Sequence, residues 1–206
     1  VIICNQNFIS TPAALNFSNE VLQKNNLNSP NTIQKKYEEL KYFVAINSLD
    51  SNLNDSFRQS LDTPISDRTF VCLFNKAGCN RNEWNWYYDS YYGNCYRFNS
   101  GKNMTDQYIE TMYSTQIGKI NGFRLVFYLD YLDGLSNFNA FSWAIGAHII
   151  ISNITDVNTM FDGFEVGVNT ETNIIVSREF SKRQPYPYGD CLPTENVATY
   201  GSVFIN

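Results

Sequence analysis

YYGNCYRFNSG, residues 91–101, is the stretch that decides how this 206-residue chain folds. Gly93-Asn94 is a turn-forming pair, and the residues from Cys95 to Phe98 alternate in the way that is typical of a short strand. The stretch therefore predicts a tight turn that leads into a strand with a cysteine near its start. The partner of Cys95 then becomes the main question about the arrangement of the chain.

Further strands are predicted on both sides of this stretch. Residues 1–4 indicate the end of a strand, and residues 70–79 indicate a strand or turn closed by two cysteines. Residues 122–132, GFRLVFYLDYL, place alternate apolar side chains on one face, which predicts a long strand. Residues 141–152 predict another strand. Residues 163–184 predict a strand, a turn at Asn169-Thr170 and a second strand.

Helices are predicted in the polar, Asn-rich region of residues 6–69. Residues 31–49 have apolar side chains near helical spacing, with Ser29 or Asn31 as the N-cap. Residues 55–61 indicate a second short helix. No break in composition marks a linker, so the chain is predicted to be α+β, mainly antiparallel β, with a helical insertion between residues 6 and 69.

Catalysis is not indicated by the residues of the chain. No nucleophile, phosphate-binding, dinucleotide-binding or metalloprotease motif is present. His148, the one histidine, lies in an apolar predicted strand, so a packed histidine is favoured over a Cys/His nucleophile. The pair Glu38/Glu39 lies on a helix predicted to be solvated, and Asp130/Asp133 precede a turn glycine. We expect neither enzyme activity nor a cofactor, and the dense aromatic run of residues 84–101 is expected to pack in a core.

The charge and hydropathy of the chain argue against nucleic-acid binding and against a membrane-spanning segment. The net charge is −5 with no basic patch, so nucleic acid is not an expected partner. No run of 18 apolar residues occurs, the longest apolar stretch being near residues 144–151, so no membrane span is predicted. The termini, which have neither an initiator Met nor a signal peptide, indicate a piece of a longer protein.

Cysteines and glycosylation sequons favour an oxidising, extracellular setting. There are five cysteines, at positions 4, 72, 79, 95 and 191. The number is odd, so at least one of them lacks an internal disulfide partner, and no CxxC pair indicates a zinc site. Cys72 and Cys79 are close enough in sequence to close a local loop if they meet in space. Sequons begin at Asn16, Asn54, Asn103 and Asn153.

Five motifs in a fixed order resemble the degenerin/epithelial sodium channel/acid-sensing ion channel family. They are VIICNQN at the start, YGNCYRFNSG, GFRLVFYLDYL, TETNIIV and finally PYPYGDC. Together they span nearly the whole chain, although residues 6–69 match only in character. The sequence departs from the family at Val168-Asn169, where the family has Pro-Gly before its ETxI motif, and at Ile151-Ser152.

The resemblance implies a channel ectodomain with a palm and a β-ball of strands and a helical finger. Residues 6–92 would form the finger and associated loops, and residues 141–152 a β-ball strand. Residues 185–206 would begin the thumb. The implied palm strands are residues 1–5, 93–101, 122–132 and 163–184. Both transmembrane helices, most of the thumb and the selectivity filter would lie outside this sequence.

The resemblance also implies how the cysteines pair. It pairs Cys4 with Cys95, closing a loop that should add roughly 4 kcal/mol in the chain-entropy model. It pairs Cys72 with Cys79. Cys191 would bond to a cysteine of the missing thumb, which accounts for the odd number.

The function implied is the extracellular region of a trimeric, amiloride-sensitive type of sodium channel subunit at the plasma membrane. The subunit would form a homo- or hetero-trimer that conducts sodium and is gated by an extracellular stimulus, with a peptide or protons as candidate ligands. Candidate gating acids are Glu38, Glu39, Asp50 and Asp55, with solvated surface as the alternative for each. The alternative function is a secreted or cell-surface, β-rich, disulfide-bonded binding or adhesion module.

Overall fold

The computed structural model describes residues 1–6, 10–27, 37–129, 146–154, 162–177, 179, 184 and 187–189. The chain divides into two compact units, Val1–Thr170 and Glu171–Asn206. Every strand and helix that the structure describes lies in the first unit. The strands are β1 (Ile2–Asn5), β2 (Thr69–Phe74), β3 (Ala77–Gly78), β4 (Trp84–Asp89), β5 (Gly93–Phe98), β6 (Phe123–Phe127), β7 (Gly146–Ile150) and β8 (Phe164–Gly167).

Five of these strands form an antiparallel sheet in the order β4-β5-β1-β7-β8. The strand predicted from residues 91–101 is β5, and Gly93 at its start has a φ of +73°, which glycine adopts without steric cost. The short strand β1 lies at the centre of the sheet, paired with β5 on one side and β7 on the other. The N-terminal strand therefore depends on two partners that are far from it in sequence.

A second, three-stranded antiparallel sheet has the order β3-β2-β6. The family resemblance implied palm strands at residues 1–5, 93–101, 122–132 and 163–184, and a β-ball strand at residues 141–152. In the structure the strand within 122–132 pairs with β2 instead, and the strand within 141–152 pairs with β1 and β8. Alternation along one strand specifies which side chains face inward, but it does not specify the partner strand.

The second strand predicted within residues 163–184 is not formed by its described residues 171–177. The turn after β8 is present, with Asn169 at a φ of +57°, but residues 171–177 beyond it are extended without strand pairing among the described residues. Ile175 is 96% exposed there. Strand propensity reflects packing on a half-buried surface, and the described part of the second unit provides no such surface for this segment.

Helices occupy much of the predicted insertion. Residues 31–49 contribute α2 (Tyr37–Ser48), and the helix predicted at 55–61 is α3 (Asp55–Ser60). Two helices were not predicted from the sequence, α1 (Pro12–Lys24) and the single turn α4 (Ile65–Arg68). The start of α1 carries an ordinary signal, since Thr11 caps the amide of Ala14 and Pro12 occupies the first helical position. Helices α1 and α2 and the residue after α3 share a buried cluster, which consists of Ala14, Val21, Leu22, Val44, Ala45 and Leu61.

The main core lies under one face of the five-stranded sheet. Its buried members are Ile3, Ile65, Trp84, Tyr96, Phe98, Ala147 and Ile149, and apolar residues of β2 and β6 pack against them. The rings of Phe98 and Phe123 stack with centroids 4.3 Å apart, and Trp84 lies 5.1 Å from Phe98. The aromatic run within residues 84–101 therefore serves packing, as predicted.

A buried ion pair joins the helical region to the central strand. Arg68 Nη2 lies 2.6 Å from Asp62 Oδ1, and the two side chains are 4% and 1% exposed. Asn5 Nδ2, at the end of β1, donates to the same oxygen at 3.2 Å, and Ser10 Oγ also donates to it. Burial raises the pKa of Asp62, while Arg68 and the hydrogen-bond donors oppose that shift.

We expect Arg68→Met to lower the free energy of unfolding by about 3–5 kcal/mol, because it leaves Asp62 buried without a compensating charge. Urea unfolding followed by circular dichroism measures the loss. The double variant Asp62→Leu/Arg68→Met should recover most of the stability, since it removes both charges.

The matched control is Asp55→Asn, which breaks the exposed ion pair between Asp55 and Arg58 at 3.0 Å. It should leave the free energy of unfolding nearly unchanged, because exposed pairs contribute little. Equal losses for Arg68→Met and Asp55→Asn would contradict the structural role of the buried pair.

Candidate functional site

The disulfide between Cys4 and Cys95 joins the two strands at the middle of the five-stranded sheet. The two residues lie directly opposite each other in the β1/β5 register, with their Cα atoms 4.3 Å apart. They are 1% and 0% exposed. The bond therefore links chain segments 91 residues apart within one ladder, and it is the pairing that the family resemblance implied.

A small apolar cluster surrounds this bond on the sheet face opposite the main core, and we call it the disulfide face. Its members are Ile2, Cys4, Tyr92, Cys95 and Ile150, with the half-buried Tyr87 packed against them. The guanidinium carbon of Arg97 lies 4.0 Å from the centroid of the Tyr87 ring. Burial raises the pKa of Tyr87 to about 12, so its hydroxyl stays neutral under the guanidinium at physiological pH.

His148 lies at the edge of the disulfide face and makes polar and stacking contacts that the sequence did not indicate. It is buried, as a packed histidine should be. Its ring stacks on Tyr92 with centroids 4.3 Å apart and an interplanar angle of 11°. Nδ1 lies 2.8 Å from Glu165 Oε1, and Nε2 lies 2.7 Å from the carbonyl oxygen of Asp162. These contacts were not predictable from the sequence, because the partners of His148 lie 14 and 17 residues away, across a strand pairing.

The second disulfide, Cys72–Cys79, closes the β2/β3 hairpin. The Cα atoms are 5.4 Å apart, and the amide of Cys79 donates to the carbonyl of Cys72 at 3.1 Å. Asn75 and Lys76 at the tip have φ values of +52° and +70°, which a tight turn requires. The half-exposed cystine lines an open cavity of about 300 Å³ together with Trp84, Tyr96 and Arg81.

The candidate gating acids are not brought together as a carboxylate pair in the part of the chain that the structure describes. Glu38 and Glu39 lie in α2, but their side chains are outside the described residues. Asp50 is exposed and accepts from the amide and side chain of Asn52. Asp55 is exposed and pairs with Arg58 in its own helix. Among the residues whose burial is described, the buried carboxylate is Asp62 instead, which no sequence pattern singled out.

The sequon asparagines differ in accessibility. Asn16, Asn54 and Asn153 are exposed, while Asn103 is half-buried. Asn54 also caps α3, its Oδ1 accepting from the amide of Phe57 at 2.8 Å. Asn103 Oδ1 accepts from the amide and the hydroxyl of Thr105. Cys191 lies outside the described residues.

Neither a metal site nor a membrane-spanning helix occurs among the described residues. Among the described residues, no three His, Cys, Asp or Glu side chains group as metal ligands. In the same part of the chain, no helix combines the length and the apolar character that a membrane crossing requires.

Comparisons with known proteins give consistent matches. The family model described as amiloride-sensitive sodium channel matches residues 1–203. The chain is 27% identical over 202 residues to the FMRFamide-activated amiloride-sensitive sodium channel of Cornu aspersum, covering 93% of this chain and 31% of that protein. It is 28% identical over 162 residues to the epithelial sodium channel subunit alpha of Homo sapiens, covering 75% of this chain and 23% of that protein.

The same subunit from Mus musculus is 31% identical over 155 residues, covering 75% of this chain and 21% of that protein. The chain thus spans less than a third of the length of these relatives.

We expect the two disulfides to differ in their contribution to stability. In the chain-entropy model, removing Cys4–Cys95 with alanines at both positions should cost about 4 kcal/mol, and removing Cys72–Cys79 about 2–3 kcal/mol, because the second loop is much shorter. Urea unfolding of both double variants without reductant measures the difference. A loss on removing Cys72–Cys79 that equals or exceeds the loss on removing Cys4–Cys95 would contradict this order.

Proposed function

The chain belongs to the amiloride-sensitive sodium channel family, which includes the epithelial sodium channels, and from that membership we propose that it forms extracellular structure of a sodium channel subunit. The observation that carries the proposal is the family match over residues 1–203. The two disulfides agree with it, since they form the pairs that the family motifs imply.

We assign the regions of the ectodomain from the strand pairings. The five-stranded sheet, including β7, is proposed as the palm, and the β3-β2-β6 sheet as part of the β-ball. The helices α1 to α3, within residues 6–92, are proposed as the finger. Residues 185–206 remain the proposed start of the thumb, and Cys191 the proposed partner of a thumb cysteine.

The proposed assembly is a trimer, homomeric or with other subunits of the family, in the plasma membrane with this region outside the cell. Sodium would permeate through a pore formed by other parts of the subunits. A peptide is the first candidate stimulus, because the relative from Cornu aspersum, whose match covers 93% of this chain, is named as FMRFamide-activated. Protons are the second candidate, with Glu38, Glu39, Asp50 and Asp55 as gating acids.

The proposal is tested by expressing the complete coding sequence in oocytes under voltage clamp. We expect an inward sodium current that amiloride blocks and that is evoked by FMRFamide-type peptides or by acid. Replacing external sodium with a large organic cation should abolish the current, which separates a sodium pore from an endogenous chloride conductance. A product found only in the medium, with no current at the surface, would support the secreted binding module instead.

Glycan attachment tests the extracellular location independently of current. We expect Asn16, Asn54 and Asn153 to carry N-linked glycans, because all three are exposed. Asn→Gln at each position should remove one step of the mobility shift that a peptide N-glycosidase produces. Asn52→Gln, at an exposed asparagine outside any sequon, is the control and should leave the pattern unchanged. An unglycosylated product in animal cells would contradict the assigned location.

A further inference from the structure

His148 is held between two oxygen atoms that both require a proton from it. Glu165 Oε1 lies 2.8 Å from Nδ1, and the carbonyl oxygen of Asp162 lies 2.7 Å from Nε2. A neutral imidazole has one N–H, so it can donate to only one of these acceptors, whereas the imidazolium donates to both. Both contacts are therefore satisfied only when His148 is protonated.

The loop that provides the second acceptor is shaped to reach the histidine. Gly163 has a φ of +103°, and a Cβ at this position would lie 2.3 Å from the carbonyl oxygen of Ile149 and 3.1 Å from His148 Nε2. Only glycine fits there, because both the backbone conformation and the available space exclude a side chain. The close approach of the Asp162 carbonyl to the ring is thus built into the chain.

The carboxylate that faces Nδ1 also holds a second segment. The hydroxyl of Tyr92, in the turn between β4 and β5, donates to the same Glu165 Oε1 at 3.2 Å. Burial, together with the charge of Glu165, raises the pKa of Tyr92, so the hydroxyl remains a donor. One oxygen of Glu165, on the edge strand β8, therefore contacts both the His148 ring on β7 and Tyr92 in the β4–β5 turn.

The charged and titratable groups around His148 come from each neighbouring segment. Glu165 is on β8, and Asp162 precedes that strand. Tyr92 is stacked on the ring, and its amide is held by Asp89 Oδ1 at 2.9 Å. From β1 the residue opposite His148 is Cys4, which is disulfide-bonded and does not titrate. Glu165 is the carboxylate that contacts the ring.

We propose that His148 is a proton-operated clamp that fastens the edge strand β8 and the β4–β5 turn to the five-stranded sheet. With the proton, Glu165 is bonded by both His148 and Tyr92. Without it, Nδ1 becomes an acceptor facing a carboxylate, so the contact turns repulsive. The Asp162 carbonyl is fixed in the backbone, whereas Glu165 is 51% exposed and is able to turn to water. Loss of the proton thus releases Glu165, and with it the link to Tyr92.

The direction with pH follows from this geometry. The clamp is formed while both ring nitrogens of His148 carry protons and is lost when the ring gives one of them up, so a rising pH releases it. The proposal concerns the fold of the first unit and does not depend on channel activity.

Two measurements on the 206-residue chain test the proposal together. The ring proton resonance of His148 reports its titration without overlap, because it is the one histidine in the sequence. Amide hydrogen exchange, corrected for the intrinsic pH dependence, reports protection in Phe164–Gly167 from about pH 5.5 to about pH 9, a range above the ordinary pKa of glutamate. We expect protection to fall about tenfold over the range in which the ring titrates, as expected for losing a hydrogen bond between charged groups.

The variants separate a clamp from ordinary packing. Glu165→Gln should abolish the pH dependence, because an amide can accept from Nδ1–H or, after rotation, donate to a neutral Nδ1. Tyr92→Phe removes only the hydroxyl and should release the β4–β5 turn at all pH values while β8 keeps its dependence. Glu110→Gln, at an exposed glutamate outside the cluster, should behave as the unchanged chain.

The clamp would be overturned by protection at β8 that stays constant while His148 titrates. It would also be overturned by a Glu165→Gln variant that keeps the full pH dependence of the parent chain. Glu165→Gln and Tyr92→Phe nearly preserve the size of the original side chains and leave His148 in place. The test therefore does not require the protein to fold without the imidazole ring.

Discussion

The covalent pairing of Cys4 with Cys95 is the constraint on which the rest of the five-stranded sheet depends. Strand β1 has only four residues, yet it is the central strand and is paired on both sides. Its neighbours come from positions near 95 and 148, so the loops that must close to form the sheet are long. Because the disulfide fixes β1 against β5, the unfolded chain has less conformational entropy to lose when the first of these loops closes. The edge of β1 is then already in place for β7 to pair with.

Two polar contacts extend this arrangement outward from the central strand. On one side, Asn5 at the end of β1 donates to Asp62, which the buried Arg68 neutralises. On the other side, His148, opposite Cys4 in the register, contacts Glu165 of β8. The helical region and the edge of the sheet are thus each attached to the centre through ionisable groups. Such contacts favour one arrangement over alternatives, because a misplaced buried charge is costly.

Local features of the fold were predictable from the sequence, and long-range ones were not. The Gly93 turn, the alternation in residues 122–132 and the helix at residues 55–61 are encoded within a few residues. The sequence did not identify β2 as the partner of β6, or β1 and β8 as the partners of β7, since period-two alternation does not identify a neighbour. The segment 171–177 has strand propensity but no pairing among the described residues, which shows that propensity alone does not make a strand.

For the candidate site too, local features were predictable from the sequence and long-range contacts were not. The cysteine pairs came from family motifs, because geometry cannot be derived from spacing for residues 91 positions apart. The candidate gating acids Asp50, just after α2, and Asp55, at the start of α3, are exposed with local partners. Asp62 and His148 are buried and make polar contacts with residues that are distant in sequence. These residues meet only after the sheet forms. No sequence window contains Asp62 with Asn5, or His148 with Tyr92.

The most direct test of this account is non-reducing peptide mapping of the chain produced in an oxidising compartment. Proteolytic fragments containing Cys4 and Cys95 should be recovered as one linked species, and those containing Cys72 and Cys79 as another. A linkage between Cys4 and Cys191, or between Cys72 and Cys95, would contradict both the sheet order and the alignment of this chain with its family.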